Sequence, residues 1–281
     1  NVSTFREVSG KAVSAFTLSN DNGMSVTLLN YGGIIKELYF PNAKGELINC
    51  VQDFDTLQGY IDDPSYRGAI VGRYANRIGH GTFTLNGQQY TLDKNGGEHN
   101  LHGGYAGFHK KLWQASTQEF TDSASVTFTL SSPDGEGGFP GNINVEACYT
   151  LNQFNELSLV IKATTDKETP LSFTQHAYFT LSNHEKVGST LLYINAEKVT
   201  DADSTLLPTG ALVDVADTPF DFTSFTKIEE RAEQDKSHSL FDKVGGYDHN
   251  YVLQAATENG PQATVKATDT GITMELYTGL P

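Results

Sequence analysis

The 281-residue sequence predicts an all-β protein of antiparallel sheets with few, short helices. Three observations carry that prediction. Short runs mixing β-branched and apolar residues with polar ones recur at near period two. Clusters of Gly with Asn or Asp punctuate them. Composition favours strands and turns, with 27 Gly against 9 Pro and with 13 Tyr and 16 Phe. A chain of this length buries a large core, and no linker or low-complexity stretch divides it, so a single domain over residues 1–281 is expected, built as a large sandwich or barrel.

The first predicted strands are 12–18 and 25–29, separated by Asn20-Asp21-Asn22-Gly23. A second turn follows at Asn42-Ala43-Lys44-Gly45, and residues 53–63 are expected to hold one helical turn. Strand 82–85 leads into Leu85-Asn86-Gly87-Gln88, a tight hairpin signal because Asn-Gly tolerates positive φ at both central positions. That hairpin joins 81–85 to 89–92. Strands 125–130, 143–151 and 157–163 come next, with the Gly-rich Asp134-Gly135-Glu136-Gly137-Gly138 between the first two. Strand 190–195 precedes the best helical pattern, 225–235, whose N-cap would be Thr223 or Ser224. Residues 264–267 and 272–277 read as a hairpin across Thr268-Asp269-Thr270-Gly271. A sheet edge is an unusual place for a domain to stop, so a further C-terminal segment is expected beyond Pro281.

The formal charge of −15 excludes whole classes of partner. Nucleic acid and anionic membrane surfaces both require clustered Lys and Arg. A neutral or cationic small molecule remains. Cys50 and Cys148 stand in strand-like contexts far apart and are expected to be buried free thiols. No run approaches the ~18–20 apolar residues of a membrane helix. Residue 1 is Asn and no leader-like segment opens the sequence, so the expected place of the protein is the cytoplasm, a removed leader aside.

Four segments have the composition of chemistry. Histidine moves protons near neutral pH, and there are eight. Gly96-Gly97-Glu98-His99-Asn100-Leu101-His102-Gly103-Gly104 reads as a loop that a ligand can approach closely. His99 and His102, with His109 nearby, raise the question of a metal. Zinc takes three or four ligands and the loop holds no Cys or Asp, so no metal is assigned. Residues 171–181 read as one strand, which places His176 and Tyr178 on the same face. An aromatic ring beside a histidine suits a sugar, and a hydrogen-bonded core histidine fits the same pattern. In Val71-Gly72-Arg73-Tyr74-Ala75-Asn76-Arg77-Ile78-Gly79, Arg and Asn can donate fixed hydrogen bonds to hydroxyls, or a buried Arg can stabilise a turn. In Gly245-Gly246-Tyr247-Asp248-His249-Asn250, Asp248 can accept from ligand hydroxyls or cap the turn. No phosphate-binding Gly motif and no nucleophile elbow is present.

Taken in order, these segments resemble the aldose 1-epimerase family. The resemblance rests on Asn30-Tyr31-Gly32-Gly33, Gly72-Arg73-Tyr74-Ala75-Asn76-Arg77-Ile78 and Asn100-Leu101-His102-Gly103-Gly104. It continues through Asp134-Gly135-Glu136-Gly137-Gly138-Phe139-Pro140-Gly141 and Thr174-Gln175-His176-Ala177-Tyr178-Phe179. Leu207-Pro208-Thr209-Gly210, Thr218-Pro219-Phe220-Asp221-Phe222 and Tyr247-Asp248-His249-Asn250 complete it. The family implies a galactose mutarotase-like β-supersandwich and cofactor-free interconversion of the α- and β-anomers of free hexoses such as galactose and glucose. By the residue match, His176 is the general acid at the ring oxygen and His102 holds and polarises the sugar. Asn76, Arg77, Tyr178 and Asp248 bind hydroxyls or line the pocket. The family's base is a Glu near its C-terminus, expected beyond Pro281 together with a sugar-binding Gln. Thr180 departs from the Asn usual at that place in the family. Two related readings are a hexose-6-phosphate epimerase, for which Lys110 and Lys111 are the basic candidates, and a non-catalytic sugar-binding module.

Overall fold

The fold was obtained as a computed structural model that describes residues 2–8, 10–184, 186–255 and 260–279. Pro281 lies outside them. By internal contacts the chain forms two compact units, residues 1–41 with 49–179, and residues 42–48 with 180–281. The predicted class holds: strands and turns dominate, with two short α-helices among the described residues.

The first unit holds two antiparallel meanders. Val2–Val8, Lys11–Ser19, Ser25–Leu29 and Ile34–Pro41 pair in sequence order. So do Gln114–Glu119, Ser123–Ser132, Ile143–Asn152 and Leu157–Thr165. Alternation decides which face is buried. In Ile143–Asn152 the side chains of Ile143, Val145, Ala147, Tyr149 and Leu151 are buried while those between them are not. The two sheets meet where Phe16 lies edge-on to Phe128 at 5.8 Å, and within the second sheet Phe128 lies edge-on to Tyr149 at 6.1 Å. The wholly buried Tyr149 hydroxyl donates to the Gly33 carbonyl at 2.8 Å, so its burial leaves no donor unpaired.

The same alternation corrects one expectation. Cys50 is buried, but Cys148 is only half-buried, because it falls on the opposite face of its strand from Ala147 and Tyr149. Neither cysteine is in a disulfide.

The Asn-Gly hairpin forms as predicted, between Thr82–Leu85 and Gln88–Thr91, with φ +51° at Asn86 and +77° at Gly87. The helix expected in 53–63 is Leu57–Asp62, capped by the Thr56 hydroxyl accepting from Gly59 N–H at 3.3 Å.

The second unit pairs Thr226–Lys227, Leu191–Ile194, Ala263–Lys266 and Thr273–Leu276 in one sheet, and Pro208–Asp214, Lys198–Ala202 and Tyr251–Val252 in another. Val199, Val215, Phe220, Leu240 and Phe241 form one core cluster, and Ile194, Ala196 and Phe222 a second. The predicted helix is shorter than expected, Ile228–Gln234, with Lys227 at its N-cap. Thr226 and Lys227 pair with Leu192 and Leu191 instead of entering the helix. Thr223 turns back onto the Asp221 carboxylate, at 3.0 Å from its N–H and 2.6 Å from its hydroxyl.

Candidate active site

The His176 segment is not one long strand. Only Thr174–Gln175 forms a ladder, against Ile70–Val71. The Gln175 side chain interrupts it. Its Nε2 donates to the Gly68 carbonyl at 2.5 Å and its Oε1 accepts the Ala177 N–H at 2.6 Å, replacing main-chain partners. His176 stays anchored nonetheless: its N–H donates to Ala69 O at 2.8 Å and its carbonyl accepts from Gly68 N–H at 2.9 Å. Gly68 has φ +70°, and a Cβ there would overlap the Ile35 carbonyl. The rings of His176 and Tyr178 lie 5.2 Å apart, so the expected proximity survives the broken strand.

Two further signature segments meet each other. Arg77–Ile78 pairs with Asn100–Leu101. One step on, Asn76 and His102 exchange hydrogen bonds: His102 N–H donates to Asn76 O at 3.1 Å, and Asn76 N–H donates to His102 Nδ1 at 3.0 Å. Both residues are left-handed, at φ +64° and +52°. Asn adopts that conformation readily, whereas His at positive φ is held there by its surroundings. Gly103 follows at φ +89°, where a side chain would overlap the Gly72 backbone.

These anchors bring His102 and His176 together, ring centroids 5.3 Å apart and nearly perpendicular at 85°. Burial, then the neighbouring His176 and Arg77, push the His102 pKa down to about 4. His102 is therefore neutral at neutral pH. Since its Nδ1 accepts from Asn76, its proton sits on Nε2, and the ring presents one N–H donor.

Arg73 does something different from Arg77. Arg73 is only 2% exposed and donates to Ser132, Pro133, Pro140 and Gly141, at 2.8–3.2 Å. Glu136, in the same Gly-rich segment, accepts from Ser132 Oγ and pairs with Lys111. Arg73 is thus the buried arginine that stabilises a turn. Arg77, half-buried, acts electrostatically on both His102 and Tyr66.

The remaining histidines of the loop separate. His99 is buried, and its Nδ1 accepts the His80 N–H at 3.0 Å. His109 is buried against Tyr66, and burial, then Lys110, push its pKa down to about 3. Among the described residues no group of three His, Cys, Asp or Glu stands close enough to hold a metal ion.

Sequence reasoning missed Tyr66, whose ring lies 4.6 Å from that of His102, 4.5 Å from His109 and 6.0 Å from His176. Asp62-Asp63-Pro64-Ser65 before it is a turn signal, but nothing local marks the tyrosine itself. Asp248 lies in the second unit, exposed, with its N–H on His249 Nδ1 at 3.3 Å. His249 Nε2 lies 3.1 Å from Leu240 O, and Tyr247 donates to Pro219 O at 2.8 Å, which fixes the segment locally.

Fold and site thus define an all-β protein whose first unit carries a close pair of imidazoles flanked by tyrosines, an arginine and an asparagine. The family model for aldose 1-epimerase matches residues 14–281, and the chain belongs to that family. A galactose mutarotase of Bos taurus is 36% identical over 274 residues, covering 96% of this chain and 75% of its own length. An aldose 1-epimerase of Escherichia coli K12 is 35% identical over 274 residues, covering 97% and 78%. The solved galactose 1-epimerase of Lactobacillus acidophilus superposes with a TM-score of 0.84 at 28% identity, covering 95% of this chain and 76% of that one. An aldose epimerase homologue from C. elegans gives the same TM-score at 30% identity, covering 93% and 78%.

Proposed function

We propose that this chain is an aldose 1-epimerase that interconverts the anomers of free aldohexoses, galactose and glucose among them. The observation that carries the reading is the His102–His176 pair, perpendicular at 5.3 Å and set by backbone bonds on both sides.

Mutarotation needs a proton delivered to the ring oxygen as the C1–O5 bond breaks, and the anomeric hydroxyl proton removed as C1 becomes an aldehyde. Rotation about C1–C2 and reclosure then give the other anomer. Each proton transfer typically contributes ~10²–10⁴-fold. His176 is assigned the acid role at the ring oxygen. His102, neutral and donating through Nε2–H, suits holding and polarising a sugar oxygen without competing for the proton. The Arg77 guanidinium and the exposed Asn76 carboxamide suit hydroxyl binding, and the Tyr178 ring suits the apolar face of a pyranose. The base at the anomeric hydroxyl is none of the residues assigned so far. The reaction calls for no cofactor.

Lys111 argues for a free hexose over a hexose 6-phosphate: its ammonium is committed to Glu136. The cytoplasm is the proposed compartment, supported by two cysteines that form no disulfide. No helix among the described residues is long and apolar enough to cross a membrane.

The test is polarimetry on freshly dissolved α-galactose and α-glucose, with a hexose 6-phosphate as control. Accelerated mutarotation of the free sugars, lost in His176→Ala, supports the reading; no acceleration overturns it. Asp248 as a hydroxyl-binding residue is an independent proposal, supported if Asp248→Asn raises KM.

A further inference from the structure

We propose that Tyr66 is a positioning residue for the His102–His176 pair, and that the Asp63 carboxylate holds Tyr66 in place. The imidazoles need such a part. The outer torsion of a histidine side chain is soft and nearly two-fold, so rotamer preference alone does not set the ring plane. His102 has the Asn76 bond to orient it. The His176 ring makes no side-chain hydrogen bond among the described residues, and its aromatic neighbours are Tyr66, His102 and Tyr178. Packing must therefore fix its plane.

Among the described residues Tyr66 is the one ring that touches His102, His109 and His176 together, inclined at 72°, 62° and 33° to them respectively. These ring contacts, edge-to-face on His102 and His109 and tilted against His176, resist rotation of the rings they join. The residue reaches this place only through an unusual backbone. Its φ is +58°, a conformation that bulky residues adopt only where neighbouring bonds enforce it.

Those bonds are present. Asp63 Oδ1 accepts from Ser65 N–H at 3.0 Å and Ser65 Oγ at 2.5 Å, and Oδ2 accepts from Arg67 N–H at 2.7 Å, so one carboxylate brackets Tyr66. Burial works against the charge, but these donors hold the Asp63 carboxyl below its ordinary range. Tyr178 Oη donates to Ser65 O at 3.1 Å, and the Tyr66 hydroxyl accepts from Asn95 Nδ2 at 3.3 Å. Asn95 in turn bonds both backbone groups of Leu101, at 2.8 Å each, the residue before His102. The turn at 63–67 is thus tied to both imidazole-bearing segments.

The proposal rests on the epimerase reading for its activity readout, and nitrogen-15 spectra of the histidine rings supply a second one that does not. In wild type the His102 spectrum is expected to show the Nε2–H tautomer alone. Tyr66→Leu should mix the two tautomers, broaden the His176 resonances and lower kcat roughly 10–100-fold with KM within about twofold. Tyr66→Phe keeps the ring and should rescue both readouts to within about threefold of wild type. Asp63→Asn loses one of two acceptors, and should shift the same spectra in the same direction. Circular dichroism checks that each variant folds, and Asp63→Asn decides alone if Tyr66→Leu does not. Wild-type spectra and kcat in a folded Tyr66→Leu or Asp63→Asn overturn the proposal, as does a Tyr66→Phe no better than Leu. Absence of mutarotation by the wild-type protein overturns the epimerase reading, with the ring spectra still deciding whether Tyr66 orients the pair.

Discussion

His102 and Asn76 are bound to each other twice, once through the imidazole Nδ1 and once through the His102 main chain. The side chain therefore has separable duties: Nδ1 closes the turn, and Nε2–H is left as the donor. An asparagine at 102 can place its carbonyl oxygen where Nδ1 stands, and it lacks the distal donor. His102→Asn is expected to unfold within about 1 kcal/mol of wild type while mutarotation slows by roughly two orders of magnitude. His102→Ala should lose both. Urea unfolding beside polarimetry separates the two duties.

Arg73 sits in a nest of carbonyls, its charge balanced in part by Glu136 and Asp134. Removing a buried charge with several fixed acceptors strands those acceptors. Arg73→Met is expected to lose about 3–5 kcal/mol. Arg73→Lys should recover only a fraction, since an ammonium cannot reproduce the fork. Urea midpoints at constant slope are the measurement.

Protonation gives a signed pH effect. The folded-state pKa values of His102 and His109 are depressed to about 4 and about 3, against 6.5 for an unperturbed ring. Between those limits the unfolded chain binds more protons than the folded one. Stability from these rings is thus complete above about pH 6.5 and lost as pH falls towards 3, on the order of 3 kcal/mol from His102 and 5 kcal/mol from His109. Melting temperature should drop over that interval in wild type. The drop should be smaller in His109→Leu, which also removes a buried Nδ1 without a partner.

Thiol chemistry should distinguish the cysteines. Burial pushes the Cys50 pKa up to about 11, and its side chain is 4% exposed, whereas Cys148 is half-buried on a sheet surface. A maleimide should modify Cys148 alone in the native protein and both residues after unfolding. Peptide mass spectrometry reads the outcome, and labelling of native Cys50 would contradict the packing around it.

What the sequence revealed and hid follows from what each residue contacts. Strand Ile143–Asn152 was legible because one face meets a core and the other does not. Gln114–Glu119 and Pro208–Asp214 are almost wholly exposed, so no apolar alternation marks them, and neither was predicted. The interrupted ladder after Gln175 was hidden because a side chain there takes the place of a strand neighbour. His102, His176, Asn76 and Arg77 stood out through unusual local composition. Tyr66 did not, since its importance comes from rings that lie roughly 35 to 110 positions further along the chain. Arg73 and Arg77 looked alike in the sequence, and only their surroundings separate a folding staple from a residue beside the imidazoles.

The pairing of Ile70–Val71 with Thr174–Gln175 also carries a timetable. At ~5–20 residues per second, the ~70 residues between the two imidazoles take roughly 4–15 s to emerge during synthesis. His102 can find Asn76 early, from a stretch of about 30 residues, but His176 can join them only after both sheets of the first unit have been made. Closing a loop of about 100 residues costs on the order of 4 kcal/mol of chain entropy. A nascent or truncated chain that ends before residue 176 would therefore carry half of the imidazole pair, and the histidines would meet as one of the last events in maturation of the first unit.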